Sequence, residues 1–223
     1  MTKTAYSSLL VFTLLLSCGS PPDASISDDG KEIDLLASGN LDDWNHVLVD
    51  SEVEQEDVWS FNNAGHLICR GTPLGYIGTK ESYENFALSV EWKWSGKPGN
   101  SGVLMQIQSG EPLPTCIEAQ LRYQSAGRLM GLRGVVLDGA GLELKQSPKI
   151  GTIHVVPGKQ GFEHEAGEWN RYDITVSEGK IELFLNGEKV NEATLPDSQS
   201  GAIGFQSEGG VIVFRKILLT SFD

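Results

Sequence analysis

Cysteine and histidine are scarce in this chain, with 3 and 4 residues respectively among 223. They do not gather at the spacing of zinc ligands, so the sequence implies no metal and no cofactor. Positive charge is also short: 17 Lys and Arg stand against 30 Asp and Glu, a formal net charge of −13. An acidic surface repels phosphate backbones, which sets nucleic acid aside as a partner. Neutral sugars stay open, because hydrogen bonds and aromatic faces hold them. No apolar run reaches the roughly 20 residues that a membrane-spanning helix needs. Helical periodicity is nearly absent. A Gly-x-Ser-x-Gly elbow, a phosphate-binding glycine loop and the metalloprotease helix motif are all missing.

The apolar run from Leu9 to Leu16 follows Lys3 and ends in Leu15-Leu16-Ser17-Cys18. A small positive region and a short apolar stretch fit a signal peptide over residues 1–17. The closing four residues resemble the lipobox of bacterial lipoproteins, whose cysteine takes a diacylglycerol and becomes the new N-terminus. That resemblance implies Cys18 as the lipidation site, a lipid anchor in the membrane, and an exported protein of the periplasm or outer-membrane surface. Residues 18–31 are rich in Ser, Pro, Asp and Gly, with Ile26 as the one strongly apolar residue. They cannot bury enough surface to fold and read as a tether. Residues 32–223 then make one domain, within the size that a single β domain reaches. Export permits a disulfide between Cys69 and Cys116; two buried free thiols are the alternative.

Within that domain the two-residue period of β-strands dominates. Phe86, Leu88, Val90, Trp92 and Trp94 face one way, and Ala87, Ser89, Glu91 and Lys93 the other. Val103–Gln108, Ile117–Arg122, Arg171–Val176, Lys180–Leu185, Gly201–Gln206 and Val211–Leu219 read as further strands. Asn186-Gly187 is a type I′ hairpin signal, continued by a strand at Lys189. Many strands between Gly and Asn turns point to an all-β sandwich or jelly roll of antiparallel sheets. Val90, Trp92, Val103, Met105, Ile117 and Ala119 are the expected core.

Alternation sorts polar residues onto faces too. Glu118, Gln120 and Arg122 share one face of their strand, Glu91 and Lys93 that of another, and Gln206 and Glu208 that of a third. On neighbouring strands they would line one curved surface able to hold a sugar; the same pattern also describes a solvated sheet face without function. Asn100, in the turn Pro98-Gly-Asn-Ser-Gly102, stands at a strand mouth. Glu91, Asn100, Glu118 and Gln120 are expected to line one concave pocket. The segment from Arg122 to Phe162 is the least regular and is rich in Gly, as functional loops often are. It is expected to wall that pocket and bring His154 or Arg133 near it. His154 is a candidate acid or base because its ordinary pKa is nearest neutrality.

The order of short blocks carries a second resemblance. Trp44 is followed by Gly65-His-Leu-Ile-Cys-Arg-Gly71, Gly75-Tyr-Ile-Gly-Thr79, Tyr83-Glu-Asn-Phe86, Glu91-Trp92, Gly99-Asn-Ser-Gly102 and Ile117-Glu-Ala-Gln120. Gly167-Glu-Trp-Asn170, Leu185-Asn-Gly187, Gly201-Ala-Ile-Gly-Phe-Gln206 and Phe214-Arg-Lys-Ile217 complete the series. This resembles the 3-keto-disaccharide hydrolase family, which implies a concanavalin-A-like jelly-roll sandwich and an oxidised glycoside as substrate. Two departures stand out. The family's Tyr-Glu-x-Gln is followed by an acidic residue that is missing here. Its Gln-x-His-Gly is Gln206-Ser207-Glu208-Gly209 in this chain.

A ketone at sugar carbon 3 acidifies the proton on carbon 2, so elimination across C1–C2 needs a base, an enolate stabiliser and an acid for the leaving oxygen. Water can then add. The resemblance thus implies Glu118 as acid or base, His154 as alternate base, Glu208 in the missing histidine's role, and Lys93 or Arg122 beside the enolate. Glu91, Asn100, Gln120 and Arg133 complete the expected substrate contacts. The other reading is a lectin-like lipoprotein that binds carbohydrate without turning it over.

Overall fold

The computed structural model describes residues 30–222. The signal peptide, Cys18 and nearly all of the tether lie outside the described residues. The elements in chain order are β1 (Ile33–Asp34), β2 (Trp44–Leu48), α1 (Gln55–Val58), β3 (Trp59–Phe61), β4 (Leu67–Cys69), β5 (Gly75–Thr79), β6 (Asn85–Trp94), β7 (Gly102–Ile107) and β8 (Cys116–Gln120). They continue as β9 (Leu129–Leu132), β10 (Glu143–Ser147), β11 (Gly151–Val156), β12 (Asn170–Ser177), β13 (Lys180–Leu185), β14 (Glu188–Thr194), β15 (Ala202–Ser207) and β16 (Ile212–Phe222). Two eight-stranded antiparallel sheets form the sandwich. The first runs β14-β13-β12-β6-β16-β4-β3, with β1 also on β16; the second runs β10-β11-β9-β8-β7-β15-β5-β2. It is an all-β sandwich of the concanavalin-A-like and galectin-like kind.

The period-two reading explains the core. Along β6 burial alternates without a break, and Phe86, Leu88, Val90, Trp92 and Trp94 are at most 2% exposed. All six expected core residues are buried between the sheets. Burying a large apolar side chain fully contributes about 1.5–3 kcal/mol, so the register of β6 is fixed firmly: a slip of one residue would expose this whole row. Tyr172 of β12 crosses the layer. Its ring packs on Trp92 at 4.6 Å, and its hydroxyl donates to Gln120 O at 2.6 Å while accepting from Gly127 N–H. One side chain therefore ties the first sheet to the end of β8. The turns at Glu178-Gly179 and Asn186-Gly187 have positive φ at both residues, 49° and 71°, then 53° and 88°, as two-residue hairpins require.

Two expectations need correction. Arg122 to Phe162 is not one long loop: β9, β10 and β11 lie inside it and extend the second sheet to its edge. Met130 and Val155 pair across β9 and β11 on the outer side, but Gly residues interrupt the alternation that would have revealed these strands. Cys69 and Cys116 are both free, buried thiols. Cys69 faces the core, whereas Cys116 belongs to an apolar patch on the outer side of the second sheet. A bridge would have to pass through that sheet. Burial pushes the Cys69 thiol up to about 11 and Cys116 well above its ordinary value.

Candidate active site

The outer face of the second sheet is built by the same alternation that makes the core. Ile117 and Ala119 point inward from β8, so Cys116, Glu118 and Gln120 point outward. Glu118 is flanked by its cross-strand partners Leu104 on β7 and Met130 on β9. Its carboxyl leans over Gly102: a Cβ there would stand 2.7 Å from Glu118 Cγ and Oε1. Glycine is thus what lets the carboxyl lie across β7. Phe205 of β15 faces the core, so Gln206 shares the outer face and is 1% exposed.

Above these residues four chain segments meet at the rim. The turn before β7, the end of β8, the β15–β16 connection and the residue after β4 enclose a cleft of 750 Å³. Asn100, Arg122, Tyr123 and Glu208 line it, with Arg70 and Lys97. Backbones approach closely here. A Cβ on Gly99 would meet Gly209 O at 2.1 Å, and one on Gly71 would meet Gly210 O at 2.2 Å. Asn100 Nδ2 donates to Glu208 Oε2 at 2.5 Å, joining the turn before β7 to the β15–β16 connection. Ser101 Oγ donates to Gln206 O at 2.8 Å and reinforces that join.

The two carboxyls differ. Glu118 is 2% exposed. Burial, and behind it the charge of Glu208, holds its carboxyl well above the usual carboxylate range, which favours the proton-bearing form. Glu208 is exposed and lines the cleft, with its carboxylate held by Asn100. Burial raises it, and the Arg122 and Lys149 charges draw it back. Two carboxyls within electrostatic reach, one raised by full burial and one accessible, are the arrangement from which acid and base roles separate.

Asn100 Oδ1, Glu118 Oε1, Gln120 Oε1 and Gln206 Oε1 are buried and accept no hydrogen bond from the protein. Buried polar atoms are nearly always paired. Four unpaired acceptors lie together at the cleft and on the sheet face beside it, which makes this the candidate site for a ligand rich in hydroxyl donors.

A model of the 3-keto-alpha-glucoside-1,2-lyase-like domain matches residues 31–220. The chain belongs to that family. Two Parabacteroides distasonis proteins described as candidate glycosyl hydrolases share the fold with a TM-score of 0.61 each. They are 20% and 24% identical, and the matches cover 86% of this chain and 94% and 100% of theirs. A Bacillus licheniformis beta-glucanase, 10% identical, aligns over 88% of this chain and 100% of its own with a TM-score of 0.56. At these identities the likeness shows the fold alone. No curated relative matches.

Against this lyase-like domain the expected site residues divide. Asn100, Arg122 and Glu208 come together in the cleft, with Glu118 and Gln120 on the face beside it. Glu91 and Lys93 do not, since β6 belongs to the other sheet and they project from its far side. Glu91 accepts from Arg215 Nε at 2.6 Å and pairs with Lys216 at 3.3 Å, while Lys93 lies 4.8 Å from the Trp169 ring. His154 alternates to the inner side of β11, where Nδ1 meets Leu137 O at 3.0 Å. Arg133 lines a separate 190 Å³ cavity with Gln106 and donates to Leu113 O. No buried carboxyl adjoins that cavity, whereas the cleft has Glu208 in its lining and Glu118 on the face beside it, so the cleft is the better candidate.

The edge hairpin β10–β11 contributes in their place. Ile150 and Ile153 pack on the outer apolar patch beside Cys116 and Leu132, and Lys149 acts on Glu208. Arg70, Lys97 and Lys149 escaped the sequence reading because single cations in turns carry no periodic signal. Gly102 was visible, as the close of the Asn-Ser-Gly turn, but its neighbour was not.

Proposed function

We propose that this chain eliminates the C1 substituent of 3-keto-glycosides. The observation that carries the reading is the set of four unpaired acceptors beside one buried carboxyl, raised toward its proton-bearing form, and one accessible carboxyl. Glu208, oriented by Asn100, takes the proton from C2 of the bound sugar. The electron pair moves into the C2–C3 bond and the C3 oxygen becomes an enolate, whose charge Arg122 stabilises. The pair then returns to form C1=C2 as the bond from C1 to the leaving oxygen breaks. Glu118 gives its proton to that oxygen. The product is an unsaturated ketone and a free alcohol; addition of water across C1=C2 completes a net hydrolysis. Gln120, Gln206 and the free oxygen of Asn100 accept from the sugar hydroxyls. Export on a lipidated Cys18 belongs to the same proposal and places the reaction at the cell envelope.

The test is turnover of 3-keto-trehalose and a 3-keto-glucoside by wild type, Glu118→Gln and Glu208→Gln, followed through release of the alcohol. Each variant is expected to lose about 10²–10⁴ in kcat, the range for a positioned acid or base. Absence of turnover by wild type on any keto-sugar overturns the proposal. Tight glycan binding without turnover would replace it with the lectin-like reading.

A further inference from the structure

The cleft reverses the charge balance of the molecule. The chain carries 30 acidic and 17 basic residues, yet Arg70, Lys97 and Arg122 line the cleft against one carboxylate, Glu208. Lys149 adds a fourth positive charge felt at Glu208. Among the described residues Lys145, Arg171, Lys180, Lys189, Arg215 and Lys216 each lie within 4 Å of a carboxylate, whereas Lys80, Lys93, Arg128, Arg133 and Lys159 stand unpaired but outside the cleft lining. Among the described residues no such pair includes Arg70, Lys97 or Arg122. Glu208 offsets part of the Arg122 and Lys149 charge, which leaves Arg70 and Lys97 as the cleft cations that no carboxylate engages within 4 Å among the described residues. Arg70 is moreover held in place, with Nη1 donating to Glu56 O at 3.3 Å and Asp57 O at 3.4 Å.

Like charges gathered at one mouth repel one another and focus a positive potential into the cleft. From the gathering of three cations against one carboxylate in a single cleft of an acidic chain we infer that the glycoside carries an anionic group, a carboxylate, sulfate or phosphate, which is seated on Arg70 and Lys97. The inference rests on the elimination proposed above and names its substrate class. The anion lies away from the reacting carbons, because a fixed negative charge beside C2 would oppose both Glu208 and the growing enolate. Arg70 and Lys97 recognise that charge, while Arg122 remains for the enolate oxygen.

A matched pair of 3-keto-glucosides tests this with the full chain: one whose aryl leaving group bears a carboxymethyl group, and its uncharged amide. The two leaving oxygens have similar acidity, so kcat/KM compares recognition. A sulfate and a phosphate analogue separate the anion types. The anionic member is expected to be favoured about tenfold or more at low salt, with the preference fading as salt screens the cleft. Arg70→Gln with Lys97→Gln brings the ratio to about one, whatever the absolute rates become. Both residues are exposed, and circular dichroism verifies that the variant is folded. A ratio at or below one for every anion, with the amide turned over, overturns the inference and leaves the lyase reading standing. If neither substrate reacts, the lyase reading fails, and calorimetry on the same glycosides still decides the inference. Tighter binding of the anion, lost in the double variant, supports it; equal binding overturns it.

Discussion

At position 102 the absence of a side chain decides where the Glu118 carboxyl rests. Gly102→Ala puts a methyl 2.7 Å from Glu118 Cγ and Oε1, and the carboxyl is the part free to move. Displacements of about an ångström at a reacting group can cost about 10²-fold in rate. A loss of that order in kcat is expected, with circular dichroism of the wild-type form. Glu118 also sets a pH signature. Its folded pKa is raised above the 4.5 of an ordinary carboxyl, so the native state keeps a proton that the unfolded chain gives up. The stabilisation is complete below pH 4.5 and is lost as pH rises toward the folded value. Thermal melts should therefore show Tm falling over that window, and Glu118→Gln should flatten the fall. A slope unchanged by the substitution would contradict the buried, protonated assignment.

Strands decide which residues meet, and this is where reading the chain alone stops. The period of two placed Glu118 and Gln120 opposite Ile117 and Ala119, and the structure has them so. The same period cannot say which sheet a strand joins. Glu91 shares the alternation of Glu118, but β6 pairs with β12 and β16 in the other sheet. There β16 bulges between Arg215 and Ile217, with Lys216 at φ 50°, and Arg215 and Lys216 both converge on Glu91. Burial tends to raise the Glu91 pKa, but hydrogen bonds from the two cations outweigh it and hold the carboxyl below its ordinary value. Glu91→Gln should cost about 1–3 kcal/mol, the usual worth of hydrogen bonds to a charged group, and leave kcat/KM unchanged. Chemical denaturation and a keto-sugar assay on one preparation check both halves. The hairpin β10–β11 acts the other way, through charge at a distance. Lys149→Gln removes a cation that draws Glu208 down, so the acidic limb of the kcat/KM profile should move to higher pH.

On the scale of the whole molecule the fold needs no covalent staple among the described residues. Cys69 and Cys116 stand on opposite sides of the second sheet, and melts with and without dithiothreitol should coincide. A reductant-dependent Tm would mean that another arrangement of these thiols exists. What the molecule uses at its mouth is main chain touching main chain: Gly71, Gly99 and Gly210 bring three distant stretches together with no room for a Cβ. The residues proposed to address the ligand, Arg70, Glu208 and Asn100, are each the immediate neighbour of one of these contact glycines or of Gly209. The frame of the mouth therefore rests on main-chain contacts as well as on the Asn100–Glu208 bond. Glutamate stands at 208 where the family pattern has histidine, and Gly209 follows it as that pattern has it. A library randomised at positions 70, 97 and 208, with the glycines untouched, is a direct route to new glycoside preferences on this sandwich.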